Sequence, residues 1–219
     1  SSATLNVTQR PINITASRDY DATTSVSAGD ISFGNLVGSQ TLNKSGTISI
    51  SSANVASYAT ANINAGSLSL SDGSNGGIAS NYTLSGGTHS ATVNKKALGS
   101  TGTKVYDGTA TASFSNLTLT GLIGSETLAL SGSGTVPNAS VESGKTVSLG
   151  TIAIADATGS ASNYSLSGSF VMDITARAVT ASGNRKYDGT TTVSGSDLTT
   201  FTNLVGSETL AASGSGSVT

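Results

Sequence analysis

Tyr106-Asp107-Gly108-Thr109 is the stretch that decides how this chain is read, because it recurs. It returns as Tyr187-Asp188-Gly189-Thr190, and a looser copy reads Tyr20-Asp21-Ala22-Thr23. A second phrase follows each tyrosine. It reads Leu36-Val37-Gly38-Ser39-Gln40-Thr41-Leu42, then Leu122-Ile123-Gly124-Ser125-Glu126-Thr127-Leu128, then Leu204-Val205-Gly206-Ser207-Glu208-Thr209-Leu210. A third phrase occurs twice, as Ser80-Asn81-Tyr82-Thr83-Leu84 and Ser162-Asn163-Tyr164-Ser165-Leu166. The tyrosines at 20, 106 and 187 step by 86 and then 81 residues. A period of that size is a whole small domain in tandem, whereas solenoid coils repeat every ~20–30 residues.

Composition bounds what such an object can be. The chain has 219 residues, 10 Lys+Arg, 12 Asp+Glu and a formal net charge of -2. A nucleic-acid partner needs a concentrated basic face that displaces counterions, and these scattered cations do not form one. No apolar run reaches the ~20 residues that span a bilayer. Neither nucleic-acid binding nor membrane insertion is expected. Ser and Thr make up roughly a third of the chain, and 27 residues are Gly. These are poor helix interiors, while Thr with Val and Ile suits a half-buried pleated surface. Disorder couples low hydrophobicity to high charge; here charge is only 10% and apolar residues alternate. There is no Cys. A Cys-free, Thr/Ser/Gly/Asn-rich β-chain suits an exported bacterial protein, which is free to do without disulfides. Residues 1–25 lack the charged-then-apolar pattern of a signal peptide. The chain begins and ends out of phase with its own repeats, which reads as a segment of a longer protein.

Taken in order, residues 1–10 are expected to form the final strand of a preceding repeat. Ala3, Leu5 and Val7 alternate there, as do Ala91 and Val93, and Phe170, Met172 and Ile174. Alternation of period two puts each set on one sheet face. His89 falls in the slot of Phe170. Repeat one, the diverged copy, spans 11–98, repeat two 99–178, and a partial repeat three 179–219. Half a repeat does not close its own core. The junctions Gln9-Arg10-Pro11, Lys95-Lys96-Ala97 and Arg177-Ala178-Val179 contain no Gly/Ser run of the kind a flexible tether carries. They predict closely joined repeats, with the basic residues solvated or paired to neighbouring acids.

Several positions carry specific expectations. Asp-Gly is a tight-turn dipeptide because Gly takes φ > 0 cheaply. Ala22 replaces that Gly in the first copy, so either its turn differs or φ is negative in all three. The second phrase, with Gly38, Gly124 and Gly206 at its centre, is the one place where a short helical turn is expected; a bend between strands is the alternative. Ile63 and Ala65 precede Gly66, and Leu68 and Leu70 follow in the opposite phase. Val147 and Leu149 precede Gly150, and Ile152 and Ile154 follow likewise. A phase slip at a Gly predicts a β-bulge or corner at Gly66 and Gly150. Tyr82 and Tyr164 read as core or junction anchors whose hydroxyls find a backbone partner. Tyr106 reads as a core residue.

No catalytic constellation is visible. A single His and no Cys remove His–Cys metal clusters and thiol nucleophiles. A Ser-His-Asp triad would have to use His89. The acids sit largely at turns, where Asp stabilises backbone locally. No cofactor is expected. Structural calcium is the alternative, at Asp19-Tyr20-Asp21 or at Asp72 with Ser74 and Asn75, although no full oxygen-ligand loop is present. A Lys–Asn or Lys–Asp isopeptide crosslink at Lys104, Lys145 or Lys186 would need a buried acid beside the pair.

Lys104 to Thr109, Gly121 to Leu128, Gly144-Lys145-Thr146-Val147 and Ser162 to Leu166, in that order, resemble the YDG-type repeat of large bacterial surface and secreted proteins. Many of these are adhesins like filamentous haemagglutinin, exported by two-partner secretion, and MBG modules are related. Repeat one departs at Ala22 and Gln40, and has Tyr58-Ala59-Thr60 where Gly144-Lys145-Thr146 stands. The resemblance implies an extracellular or cell-surface array and brings no catalytic residues. The expectation is therefore an all-β chain of tandem small β-sandwich or β-grasp-like domains, with at most one short helical turn per repeat. The expected function is a non-enzymatic stiff stalk or filament in cell adhesion or biofilm. Its partners are neighbouring repeats. The alternatives are direct binding of host glycan or matrix protein by the repeats and, remotely, a glycan-acting enzyme.

Overall fold

Residues that alternate in the sequence alternate in burial. In strand Asn13–Asp19, Ile14 and Ala16 are buried and their neighbours are not; in strand His89–Asn94 the buried pair is Ala91 and Val93; in Val171–Thr175 it is Met172 and Ile174. The computed structural model describes residues 3–218. Among them every regular element is a strand or a 3₁₀ turn, with no α-helix. The chain folds into two compact units. The first comprises the chain to Leu98 together with Gly121–Leu128 and Ala155–Ser167. The second comprises Gly99–Thr120, Ala129–Ile154 and the chain from Gly168.

Each unit is built on a four-stranded sheet. In the first the order is Ile31–Gly34, Asn13–Asp19, His89–Asn94, Ala56–Ala59. The two central strands are parallel, with His89 opposite Ile14, and each outer strand is antiparallel to its neighbour. In the second unit the order is Leu117–Thr120, Gly99–Val105, Val171–Thr175, Glu142–Thr146, with the same senses. Parallel neighbours need a long crossover. Here everything between the first and last strands serves as that crossover. It includes a three-stranded sheet, Ser25–Ser27 with Thr47–Ile50 and Ile63–Asn64, whose Val26, Ile48 and Ile50 add to the core.

Several expectations change. Residues 3–9 form no strand, and Leu5 and Val7 are 88% and 91% exposed. The strands they resemble each lie between two partners, whereas no described strand pairs with 3–9. Alternation without a partner does not make a strand. Short helical turns are more numerous than one per repeat: 3₁₀ turns lie at Ala28–Asp30, Thr60–Asn62 and Ala79–Asn81, then at Phe114–Asn116 and Ala161–Asn163, then at Gly195–Asp197. None falls in the second phrase, which is a tight turn closed by Gln40 N–H on Val37 O at 3.0 Å and by Glu126 N–H on Ile123 O at 3.0 Å. Gly38, Gly124 and Gly206 each sit at positive φ there, which removes them from a helical path.

Gly66 and Gly150 turn corners and do not bulge a strand. Their φ values are +58° and +56°. Leu68 N–H closes the first turn on Ala65 O at 2.9 Å, and Ile152 N–H closes the second on Leu149 O at 2.8 Å. The phase slip arises because the strands on either side of Gly66 belong to different sheets. Both alternatives for Ala22 also fail. Its φ is 62°, beside 76° at Gly108 and 80° at Gly189, so all three turns are alike and Ala22 is held in a left-handed conformation. Residues 179–218 pair among themselves, Thr180–Gly183 with Leu198–Thr202 and Thr192–Ser194 with Ser215–Ser217. Only Gly195 is buried there, because no closing strand is present among them.

Two substitutions test this account. Ala22→Gly relieves a left-handed alanine and is expected to stabilise the chain by about 0.5–1 kcal/mol. Gly150→Ala adds a Cβ 2.6 Å from Ser133 O at positive φ and should cost about 2 kcal/mol or more. Both are read from urea unfolding midpoints.

Candidate functional site

The Tyr-Asp-Gly/Ala-Thr turn is a carboxylate clamp. Asp107 Oδ1 accepts from Thr109 N–H at 2.9 Å, from Thr109 Oγ1 at 2.9 Å and from Lys104 Nζ at 2.9 Å. The Lys104 side chain is 5% exposed, and its ammonium also donates to Thr109 O at 2.8 Å and Thr111 O at 2.9 Å. A buried charge is tolerable when paired and fully hydrogen-bonded. The first copy repeats the pattern with Asp21, Thr23 and Arg18, and the last with Asp188, Thr190 and Arg185. A hydrogen bond from Lys104 holds the Asp107 carboxyl down at about 2, and one from Arg185 does the same for Asp188, also at about 2. Burial pushes Asp21 up, but hydrogen bonds from Thr23 and the Arg18 charge outweigh it and leave it below its ordinary value.

The clamp aims the tyrosine ahead of it. Tyr20, 5% exposed, donates its hydroxyl to Glu126 Oε1 at 2.6 Å. The other oxygen, Oε2, accepts the hydroxyl of Tyr164. The Tyr164 hydroxyl in turn accepts Ile123 N–H at 3.1 Å. The two rings meet edge to face with centroids 5.4 Å apart and planes at 76°, a favoured aromatic geometry. Asn163, 2% exposed, completes the socket by accepting Val55 N–H at 2.9 Å and donating to Asn54 Oδ1 at 3.0 Å. One carboxylate thus serves two buried phenols. Burial, then the hydrogen bond to Glu126, raises the Tyr20 phenol to about 12; the same two causes raise Tyr164.

A second socket repeats the theme. Tyr106 donates its hydroxyl to Glu208, which raises the phenol above its ordinary value. A Cβ on Gly108 would lie 2.9 Å from Val205 Cγ1, so the turn packs directly on the second phrase. Tyr106 is half-buried and not the core residue expected: its hydroxyl docks on Glu208, but among the described residues no second aromatic ring packs against it as Tyr164 packs against Tyr20. Tyr82 is 4% exposed, accepts Val37 N–H at 3.1 Å and donates to Gln40. Tyr187 is 94% exposed.

Other candidates fall into structural places. Both His89 nitrogens are engaged by backbone: Nδ1 accepts Ile14 N–H at 3.2 Å and Nε2 lies 3.1 Å from Leu84 O. Asp72 Oδ1 accepts Ala79 N–H at 2.8 Å. Among the described residues no three His, Cys, Asp or Glu converge. Lys145 Nζ reaches Asn138 Oδ1 at 2.6 Å and Glu142 Oε2 at 3.0 Å, but the Glu142 side chain is 62% exposed and is not the buried acid a crosslink needs. Tyr58 faces Ala91 as Lys145 faces Met172, so Tyr58 itself takes the lysine's slot, one residue earlier than the sequence pairing implies. Arg10 and Arg177 clamp Asn35 and Asn203 through Nε to the carbonyl, each at 2.7 Å, instead of pairing with acids.

Sequence reasoning missed the basic residue three positions before each Asp and the acceptor role of Glu126, Glu208 and Gln40. The signal was there: Arg18, Lys104 and Arg185 hold one position in all three copies. Glu126→Ala leaves two buried phenols without an acceptor and should cost about 3 kcal/mol by urea unfolding. pH gives an independent check. Asp107 and Asp188 lie near 2 against an ordinary 3.8, so their contribution is complete above that range and is lost as pH falls toward 2. Tyr20 lies near 12 against an ordinary 10.0, so its contribution is complete below pH 10 and is lost as pH rises toward 12. The alkaline fall should shrink in Tyr20→Phe.

No curated protein and no solved structure matches the chain. The family model of the YDG domain matches residues 89–170, from the strand that closes the first sheet through the phrases holding Tyr106, Glu126 and Tyr164. Residues 89–170 of this chain carry a YDG domain.

Proposed function

We propose that the chain is a tandem-repeat segment of a large bacterial extracellular protein, a non-enzymatic stiff stalk or filament in adhesion or biofilm. The observation that carries this reading is the Tyr20–Glu126–Tyr164 socket. It fastens the signature tyrosine of one sequence copy into the second and third phrases of the next. A spacer needs that: successive copies joined by buried, oriented contacts and not by a loose linker. The recurrence of the same tyrosine–carboxylate pair at Tyr106 and Glu208 supports it, as does the YDG match at 89–170. Each signature residue then serves the joint or the turn. The repeats are read as small grasp-like domains with parallel first and last strands.

Two measurements on the purified chain test the reading. Screened against a glycan array, mucin and matrix proteins, a spacer should give no saturable binding. Stretched in a force spectrometer, it should unfold in discrete steps, at lower force in Glu126→Ala. Saturable binding with unchanged unfolding forces in the variant would replace the stalk by direct recognition.

A further inference from the structure

A pull on this chain runs along the central strands of each sheet. In the first unit the chain enters Asn13–Asp19 at Asn13 and leaves His89–Asn94 at Asn94. The two strands are parallel neighbours, in unbroken register from Ile14 opposite His89 to Asp19 opposite Asn94. Entry and exit therefore lie at opposite ends of the pair. Tension drags the strands past one another and strains all the hydrogen bonds between them together. An antiparallel hairpin is entered and left at one end, so its bonds open one at a time. In the second unit Gly99–Val105 and Val171–Thr175 have the same parallel arrangement.

The rungs of this ladder can be traced. In the first unit Ile12 N–H donates to Thr83 O at 3.0 Å and Tyr20 N–H to Asn94 O at 2.9 Å. In the second, Ser100 N–H donates to Ser169 O and Tyr106 N–H to Thr175 O, each at 2.9 Å. Ser100 holds the place of Ile14, six residues before the signature tyrosine. There the two units differ, because Ile14 N–H is taken by a side chain, His89 Nδ1, at 3.2 Å. An Nδ1 that accepts leaves the ring proton on Nε2, which lies 3.1 Å from Leu84 O. The His89 backbone is itself tied down: its N–H donates to Thr60 Oγ1 at 2.7 Å, and its carbonyl accepts from that hydroxyl at 3.1 Å. Two more side chains cross the pair. Asn13 Oδ1 accepts Thr88 N–H at 2.8 Å, and Asn94 Nδ2 donates to Ser17 Oγ at 3.0 Å.

We propose that the parallel pair at the centre of each sheet bears tension along the chain by shear, and that the His89 imidazole is one rung of the first pair. Resistance to a pull is set by the rate of unfolding under force. It therefore depends on the direction of the pull as well as on stability. The inference goes beyond the spacer reading, since the strand geometry acts on any pull that enters at Asn13 and leaves at Asn94.

Force spectroscopy of the full chain along two directions tests this. The chain has no Cys, so two introduced cysteines alone define the points of attachment. Thr8, Thr24 and Lys95 are exposed. Attachment through Thr8→Cys and Lys95→Cys shears the first pair. Attachment through Thr24→Cys and Lys95→Cys grips the same end of both strands and peels them apart from Asp19 and Asn94. The shearing force should be several-fold higher than the peeling force, although the fold is the same. His89→Phe keeps a ring in the slot but takes the acceptor from Ile14 N–H. It should lower the shearing force and leave the peeling force unchanged, because peeling starts at the far end of the pair. Equal forces in the two directions would overturn the shear ladder and leave the spacer reading standing. A shearing force untouched by His89→Phe, or a fall of both forces alike, would overturn the part given to His89.

Discussion

An aspartate oxygen that accepts three hydrogen bonds stands behind most of what this chain does. At Asp107 the donors are the amide and hydroxyl of Thr109 and the ammonium of Lys104. They hold a turn whose next residue is left-handed, and the turn points the preceding tyrosine outward from its own strand. In a chain where only 10% of residues are charged, three basic residues are spent on this turn, and two of them, Arg18 and Lys104, have side chains no more than 7% exposed. The left-handed Ala22 shows how much the clamp tolerates: the same hydrogen bonds offset a conformation that costs alanine about 1–2 kcal/mol.

From that turn the structure builds outward through a single acceptor. Glu126 receives one phenol from the copy before it and one from its own third phrase. The three phrases of the sequence, far apart along the chain, are therefore parts of one device. The first aims a tyrosine, the second supplies a carboxylate, and the third supplies another tyrosine together with an asparagine that grips the loop at Val55.

Much of this was legible in the residues. Alternation located the strands around Ile14, Ala91 and Met172 because one face of each is buried, and the glycine phase slips marked the corners at Gly66 and Gly150. What was hidden were properties of pairing. Ala3, Leu5 and Val7 alternate as well as any strand, but alternation reports a face and not a partner. The positive φ of Ala22 depends on Asp21 and Arg18, which propensity does not weigh. The role of Glu126 required knowing that residues 20, 126 and 164 meet. The recurrence of a base three places before each aspartate was readable, and with it the clamp.

The parallel pairing of each sheet's first and last strands has a consequence for the order of events when the chain is delivered from one end. Asn13–Asp19 meets its central neighbour only when His89–Asn94 arrives, and Gly99–Val105 waits for Val171–Thr175. Until then the segment is a set of hairpins with an unclosed face, much as residues 179–218 are. Long-range parallel contacts of this kind form slowly. Once the last strand enters, the segment locks as a unit and the next begins. Folding of such a chain would advance in quanta, each sheet set only when its last strand is in place.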